Sequence, residues 1–344
     1  MNYRVNKDYV LNTAKRILEF DSPTGFCFDI MEEIKKIATG FGYEFSTTRK
    51  GCGVITVKGE SDERVIGLAA HVDTLGAMVR SITSSGTLKF TLLGGPIPAT
   101  MDSEYCKIRT RDGKIYTGTF LSTSPAVHVY PDSKDKKRDP ENMEVRIDEK
   151  VLSKKDVEDL GICPGDFIFL DTKTTITESG FIKSRFIDDK GSVAALMGLL
   201  ELLNREKITP KYTIKLFISV YEEVGHGASY IPQDITEMIA VDMGCIGDDL
   251  SCTEYDVSIC AKDSGGPYDY NMVTSLINLA KDNNIKYAVD IYPMYGSDVG
   301  AALRGGNDIR GALIGPGVHA SHGMERTHYE GLENTIKLLL AYIS

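Results

Sequence analysis

The chain has 344 residues, of which 42% are hydrophobic and 26% charged, and its net charge at pH 7 is −10. This composition is typical of a globular protein, and the length favours two domains or one domain with a large insertion. The negative charge argues against nucleic acid or an anionic membrane surface as the main partner. No segment approaches the roughly 18 apolar residues that span a membrane, and the N-terminus lacks a signal-peptide core.

The seven cysteines form no CxxC pair, and their number is odd. This pattern indicates neither a disulfide framework nor a structural zinc finger. We therefore expect a cytoplasmic protein with reduced thiols.

The chain begins with helical periodicity over residues 6–38, broken at SPTG. Two strands are predicted in YEFSTTRKGCGVITVKG, and a buried strand in RVIGLAAHVDTLGAMV. Residues 77–173 then change to short strands separated by turns, including the hairpin signal RDGK and one short helix, LSKKDVEDLG. This pattern is typical of a small β-rich domain inserted into a larger one.

From residue 174 to the C-terminus, apolar strands alternate with amphipathic helices. Such alternation predicts a mainly parallel sheet covered by helices on both faces. The predicted fold class is α/β. Residues 1–76 and 174–344 would form the catalytic domain, and residues 77–173 the inserted domain.

Charged and imidazole side chains follow the apolar strands of the predicted sheet. The carboxyl ends of parallel strands meet at one edge, so we expect these side chains to converge there. Two simpler interpretations stay open: the paired aspartates could lie in a solvated loop, and His71 could simply bind a backbone carbonyl. The residues concerned are His71 and Asp73, the pair Asp188-Asp189 before the long helix, the pair Glu222-Glu223, Asp242, and His322 in the last loop.

Adjacent carboxylates repel each other unless a cation or a proton lies between them. Two histidines with several carboxylates are a ligand set that suits zinc, cobalt or manganese. One carboxylate can also bridge two cations roughly 3.5–4 Å apart. The residue types therefore indicate a metal centre at the sheet edge.

Several short motifs in this order resemble the glutamyl aminopeptidase and tetrahedral (TET) aminopeptidase family of co-catalytic metallopeptidases. Some members of that family are labelled endoglucanases. The resemblance runs essentially from end to end and includes VEDLGICPGDFIFL in the insert. The motifs are HVD (71–73), IDDKG (187–191), EEVGHGA (222–228), VDMG (241–244), YGSDVGA (295–301) and the late histidine loop.

The resemblance implies two divalent metal ions per subunit, zinc or else cobalt or manganese, and N-terminal cleavage of short peptides. It also implies that the insert mediates dimerisation and substrate access, and that homo-oligomers range from dimers to dodecamers. The implied roles are a bridging Asp188, His71 and Asp242 on one metal, Glu223 and His322 on the other, Glu222 as general base and then acid, Asp73 on the second nitrogen of His71, and a cis peptide bond after Asp188.

Two motifs depart from the family pattern. The last ligand usually lies in His-Ser-Pro-x-Glu, whereas this loop reads HASHGMERTH. His322 fits best, His319 is the alternative, and we expect His328 to cap or pack against the closing helix. Many relatives carry arginine at the position of His226. Asp298, in the glycine-rich turn, could face the substrate pocket or cap a helix.

Two other functions compete with the aminopeptidase. The same pair of metals would suit an amidohydrolase or deacylase acting on N-acylated amino acids or modified peptides. A non-catalytic metal-binding scaffold is the third hypothesis. The intact pair Glu222-Glu223 argues against the scaffold, because a scaffold needs no general base.

Overall fold

A computed structural model describes residues 3–344 of the chain. The chain divides into two compact units: the first runs to residue 73 and resumes at residue 173, and the second comprises residues 74–172. None of the helices within residues 3–344 is both long enough and apolar enough to cross a bilayer.

The helices and strands are as follows. The α-helices are α1 (Lys7–Leu18), α2 (Phe28–Gly40), α3 (Lys154–Asp159), α4 (Ile187–Glu206), α5 (Tyr270–Asp282), α6 (Asp298–Arg304) and α7 (Tyr329–Ile343). The strands are β1 (Glu44–Thr47), β2 (Gly53–Val57), β3 (Ser61–His71), β4 (Gly76–Ile82), β5 (Leu88–Leu93), β6 (Tyr105–Arg109), β7 (Ile115–Ser122), β8 (Met143–Ile147), β9 (Phe167–Leu170), β10 (Thr175–Ile176), β11 (Phe181–Ser184), β12 (Tyr212–Ser219), β13 (Glu237–Val241), β14 (Gly244–Cys245), β15 (Val257–Asp263), β16 (Gly266–Pro267), β17 (Tyr287–Ile291), β18 (Arg310–Val318) and β19 (Glu325–His328).

The second unit is a closed barrel with strand order β4-β5-β8-β7-β6-β9, accompanied by α3. Its core contains Phe90 and Phe120, whose rings meet edge to face with centroids 5.0 Å apart. Ser153 caps α3 by accepting a hydrogen bond from the Asp156 amide. The β-rich character predicted for this stretch is confirmed.

The first unit is built on a ten-stranded sheet whose main order is β1-β2-β12-β3-β13-β18-β15-β16. The four central strands β12, β3, β13 and β18 are parallel, whereas β2 and β15 flank them in antiparallel pairing. The predicted α/β class is therefore confirmed, with a mixed sheet that is parallel at its centre. The carboxyl ends of these four strands share one edge.

Helix α4 is the most buried helix of this unit and contacts α1, α7 and β3. Its apolar residues occur on all sides, which is the pattern of a helix enclosed by other elements. Gly198 lies where α4 meets its neighbours: a Cβ atom there would be 2.7 Å from Val10 Cγ2 and 2.9 Å from Ile336 Cδ1. The absent side chain lets the three helices approach closely.

Three segments differ from the sequence-based expectation. The predicted strand RVIGLAAHVDTLGAMV is two strands, β3 and β4, because the chain leaves the sheet after His71. Between β12 and β13, where the alternation of strands and helices predicts a helix, the chain forms only 3-10 turns, one of them at Gly227–Ser229. The late loop contains the short strand β19, which pairs with β11. Each difference depends on long-range pairing, which local sequence patterns do not encode.

Gly315 lies in β18 directly beside the backbone of Asp242. A Cβ atom at position 315 would lie 1.8 Å from the Asp242 carbonyl oxygen. Since this neighbour is a main-chain atom and the Asp242 amide is hydrogen-bonded to Ile314 of β18, no side-chain rotation can relieve the overlap. The glycine therefore sets how closely β18 and the end of β13 approach.

We predict that Gly315→Ala lowers the free energy of unfolding by about 3 kcal/mol or more, because strand separation is the only relief. The matched control is Gly247→Ala, where no atom lies within 4 Å of the new Cβ; its effect should stay within about 0.5 kcal/mol. Urea denaturation of both variants provides the measurement. Equal stability of the two variants would contradict the close approach.

Candidate metal centre

Each of the four parallel strands delivers a candidate ligand to the same edge of the sheet. His71 is the last residue of β3, and Asp242 follows β13 directly. Glu222 and Glu223 form a 3-10 turn after β12. His322 lies in the loop after β18. Parallel pairing thus brings together residues that are up to 251 positions apart in the sequence.

Asp188 lies between the two histidines at the start of α4. Its Oδ1 is 3.2 Å from His71 Nε2, and its Oδ2 is 3.5 Å from His322 Nε2. The two carboxylate oxygens therefore face different imidazoles. The peptide bond between Asp188 and Asp189 is cis, as the resemblance implied.

The glutamates of the 3-10 turn approach different histidines. Glu223 Oε2 is 3.8 Å from His322 Nε2, and Glu222 Oε2 is 3.7 Å from His71 Nε2. Two groups of ligand atoms, each within 4.8 Å of one another, could hold a cation: His71, Asp188 and Glu223, and His71, Asp189 and Asp242. The second group includes Asp189, to which the resemblance assigned no metal.

The donor atoms fit a divalent cation. Glu223 Oε1 and Asp189 Oδ1 are both buried, and within residues 3–344 neither has a hydrogen-bond partner. A buried carboxylate oxygen without a partner is costly, and a cation would satisfy it. Imidazole nitrogens with carboxylate oxygens suit zinc, cobalt and manganese. The arrangement is a possible metal site.

Burial raises the pKa of several carboxyl groups in this centre. Glu222 and Glu223 have pKa values well above the ordinary range, and desolvation is the largest cause in both. Burial, reinforced by the Asp188 carboxylate, raises the pKa of Asp242 to about 7. Burial also raises the pKa of Asp189. When no cation compensates their charge, these acids therefore bind protons more readily than exposed carboxyl groups do.

His71 and Asp188 behave in the opposite sense. Burial alone would lower the pKa of His71, but the hydrogen bond to Asp188 and the nearby Glu222 carboxylate raise it well above the ordinary value. Burial alone would raise the pKa of Asp188, whereas hydrogen bonds from His322 and His71 lower it. Without a metal, both shifts favour the charged forms, an imidazolium beside a carboxylate.

The other nitrogen of His71 is fixed by Asp73. The distance from His71 Nδ1 is 2.9 Å to the Asp73 carbonyl oxygen and 3.7 Å to its carboxylate. The closer partner is therefore the main-chain carbonyl of Asp73. The resemblance implied a contact with Asp73 but did not distinguish its main chain from its side chain. A donating Nδ1 leaves Nε2 directed at Asp188, as a metal-binding histidine requires.

The Asp73 carboxylate holds the glutamate turn instead. It accepts hydrogen bonds from the amides of Glu222 at 3.0 Å and Glu223 at 3.3 Å, and from the Thr24 hydroxyl at 2.7 Å. Asp73 is fully buried. This side chain therefore orients both glutamates through their backbone, a role that the sequence did not reveal.

Asp298 closes the same segment from the other side. Its carboxylate accepts from the Ser219 hydroxyl and from the Ala228 amide, at 2.5 and 2.9 Å. A Cβ atom at position 227 would lie 2.6 Å from Asp298 Oδ1, so a glycine is needed there. Asp298 thus joins the two ends of the turn that carries the glutamates.

The remaining histidines lie outside the cluster. His319 is exposed, and its backbone pairs with Arg326. His328 is the N-cap of α7 and accepts from the Glu330 amide, as expected. His226 stacks on Tyr221 with ring centroids 4.9 Å apart. The geometry favours His322 over His319 as the late-loop candidate.

Comparisons with known proteins identify related sequences and structures. A family model described as M42 glutamyl aminopeptidase matches residues 51–338. The candidate aminopeptidase YhfE of Bacillus subtilis (strain 168) is 46% identical over 334 residues, covering 97% of this chain and 96% of that protein.

Two solved structures share the fold. An aminopeptidase from the archaeon Desulfurococcus kamchatkensis has a TM-score of 0.88 at 21% identity, with 98% of this chain and 95% of that one covered. The TET1 peptidase of Pyrococcus horikoshii, described as assembling into a tetrahedron or an octahedral shell, has a TM-score of 0.83 at 21% identity, with 97% and 99% covered.

These matches define the chain as an aminopeptidase, that is, a peptide hydrolase. It belongs to the M42 glutamyl aminopeptidase family, whose members depend on metal. The resemblance inferred from the motifs is confirmed.

We predict that His322→Ala weakens zinc binding at one site by more than about 100-fold, since even an outer partner of a ligand can contribute that much. His319→Ala, three residues away on the exposed part of the loop, is the matched control and should bind zinc normally. Competition with a chromogenic chelator measures both affinities. If only His319→Ala lost affinity for zinc, His319 and not His322 would be the ligand.

A second prediction concerns the metal-free protein. Burial also raises the pKa of Glu325, the first residue of β19, to about 8. Acids with a raised pKa hold more protons in the folded than in the unfolded state, so the free energy of unfolding falls as pH rises from about 4 toward the folded-state pKa values of Asp242, about 7, and Glu325, about 8. His71 acts in the same direction, because stability from its raised pKa is lost at higher pH. The lowered pKa of Asp188 changes stability only at pH values below the usual pKa of an aspartate, so it does not affect this interval.

Calorimetry of chelator-treated protein should therefore show a melting temperature that decreases by several degrees between pH 5 and pH 8. Saturating zinc should remove that decrease, since cations replace the protons. A melting temperature of the metal-free protein that is constant or rises over this interval would contradict the assigned pKa shifts.

Proposed function

We propose that the protein is a dinuclear metallo-aminopeptidase that removes N-terminal residues from short peptides. Asp188 would bridge the two cations, His71 and Asp242 would complete one site, and Glu223 and His322 the other. The observation that carries this proposal is the position of Asp188, whose two oxygens face different imidazoles at 3.2 and 3.5 Å. A single cation could be shared with only one of the two histidines, and the other oxygen of Asp188 would have no cation.

The donor set is compatible with zinc, which we propose as the metal, and cobalt or manganese would also suit it. When bound, such cations would activate a water molecule and offset negative charge on the substrate carbonyl. The rest of the chemistry falls to side chains of the protein.

Glu222 is our candidate for the general base. It follows a buried strand, its amide is held by Asp73, and its side chain is 15% exposed, so it borders both the centre and solvent. We infer that it accepts the proton of the attacking water and transfers it to the leaving amine. Glu223, its neighbour, is more enclosed at 5% exposure, which suits a ligand better than a proton carrier.

We further propose that the protein forms homo-oligomers through its inserted barrel, residues 74–172. The TET1 peptidase, which shares the fold, is described as assembling into a tetrahedron or a large octahedral shell, which supports self-association here. Light scattering would give the oligomeric state. The seven free cysteines would remain reduced in the cytoplasm, where we expect the enzyme to act.

We predict that Glu222→Gln keeps both cations and lowers turnover of an aminoacyl-anilide by about 10²–10⁴-fold, because the amide cannot accept the proton. Metal analysis and steady-state kinetics on the same preparation provide the measurement. Glu223→Gln is the matched comparison, since it should lose metal as well as activity. A Glu222→Gln variant with normal turnover would show that the base is another group.

The substrate class is tested with the wild-type enzyme on aminoacyl-anilides and N-acetyl amino acids, with and without a chelator. Cleavage of the free-amine substrates alone, abolished by the chelator, is the expected result. Preference for the acetylated compounds would replace the aminopeptidase by a deacylase.

A further inference from the structure

Glu325 is a buried carboxylate that does not belong to the proposed ligand set. It begins strand β19, where it pairs with Ser184 of β11 in antiparallel register. The residue is 1% exposed. A carboxylate in such a place must be compensated by donors, because its burial is otherwise unfavourable.

Both oxygens of Glu325 accept hydrogen bonds from main-chain amides. Oε2 accepts from the Asp188 amide at 2.9 Å, and Oε1 accepts from the His322 amide, also at 2.9 Å. One side chain therefore connects the backbone of the proposed bridging ligand with that of the proposed last ligand. Hydrogen bonds from amides to a carboxylate are among the stronger ones in proteins.

The loop that carries His322 needs such a restraint. His322 has φ +65° and Ala320 has φ +59°, a left-handed conformation that side-chain-bearing residues seldom adopt. The loop is closed by paired main-chain hydrogen bonds between His319 and Arg326, at 2.9 and 3.1 Å. These bonds hold the base of the loop, but they do not connect it to α4. The Glu325 carboxylate makes that connection.

We propose that Glu325 is a positioning residue that sets the separation between Asp188 and His322 and thereby preserves the second cation site. This inference rests on the proposed dinuclear function. It assigns Glu325 no contact with metal or substrate. Its effect passes through the two amides that it accepts.

The test compares Glu325→Gln with Glu325→Asp. The glutamine is the same size, but its amide group would place a donor against one of the two backbone donors. The aspartate keeps the charge and is one methylene too short to reach both amides. The matched control is Glu330→Gln, five residues later on the same segment, where the side chain is 52% exposed and lies 3.9 Å from His328.

We expect Glu325→Gln to bind the second zinc ion about 10–100-fold more weakly and the first ion with unchanged affinity. Glu325→Asp should show a smaller loss, and Glu330→Gln none. With cobalt in place of zinc, the visible absorption that appears on adding the second equivalent of cobalt should differ between Glu325→Gln and the wild-type protein, because the ligand geometry changes. Should the glutamine variant fail to fold, the aspartate variant carries the same comparison.

A double-mutant cycle separates positioning from general stability. If Glu325 acts through His322, adding Glu325→Gln to His322→Ala should change the remaining zinc affinity by less than about 2-fold, since the two effects are not additive. Wild-type affinity for both ions in Glu325→Gln, or an equal loss of both, would overturn the positioning role while leaving the proposed function intact. A wild-type protein that binds fewer than two zinc ions would overturn both.

Discussion

The concentration of buried carboxylates at one edge of the sheet is the constraint on which the rest of the structure depends. Ligand atoms of Asp188 and Glu223 lie within 4.8 Å of each other, as do those of Asp189 and Asp242, and His71 belongs to both groups. Such a cluster can persist only if protons or cations compensate its charge. Without metal, the raised pKa values allow protons to compensate the negative charge. Two divalent cations would compensate the same charge and would also provide catalysis.

Buried carboxylates position the proposed ligands, largely by accepting hydrogen bonds from backbone amides. Asp73 accepts the amides of the glutamate turn, Asp298 joins the two ends of that turn, and Glu325 connects Asp188 with His322. Each of these carboxylates is buried. Geometry is therefore maintained by acids that surround the centre, and the ligands themselves remain available to a cation.

Sequence reasoning found the parts of this site that follow from local patterns. A polar residue at the end of an apolar strand, such as His71 or Asp242, can be placed at the sheet edge once the central strands are predicted to be parallel. The supporting contacts could not be found in this way. Glu325 acquires its role from β11–β19 pairing, and Asp298 from the approach of Gly227, and neither contact leaves a local signal in the sequence. The fold class could also be predicted, because strand and helix periodicity are local patterns. The end of β3 at His71 could not, because it depends on long-range pairing.

We propose that two cations occupy this edge of the sheet, on either side of Asp188. Anomalous scattering from crystals grown with zinc, combined with metal analysis, tests it most directly. Two peaks roughly 3.5–4 Å apart are expected, one near His71 and Asp242 and one near Glu223 and His322. A single peak, or peaks distant from Asp188, would contradict it.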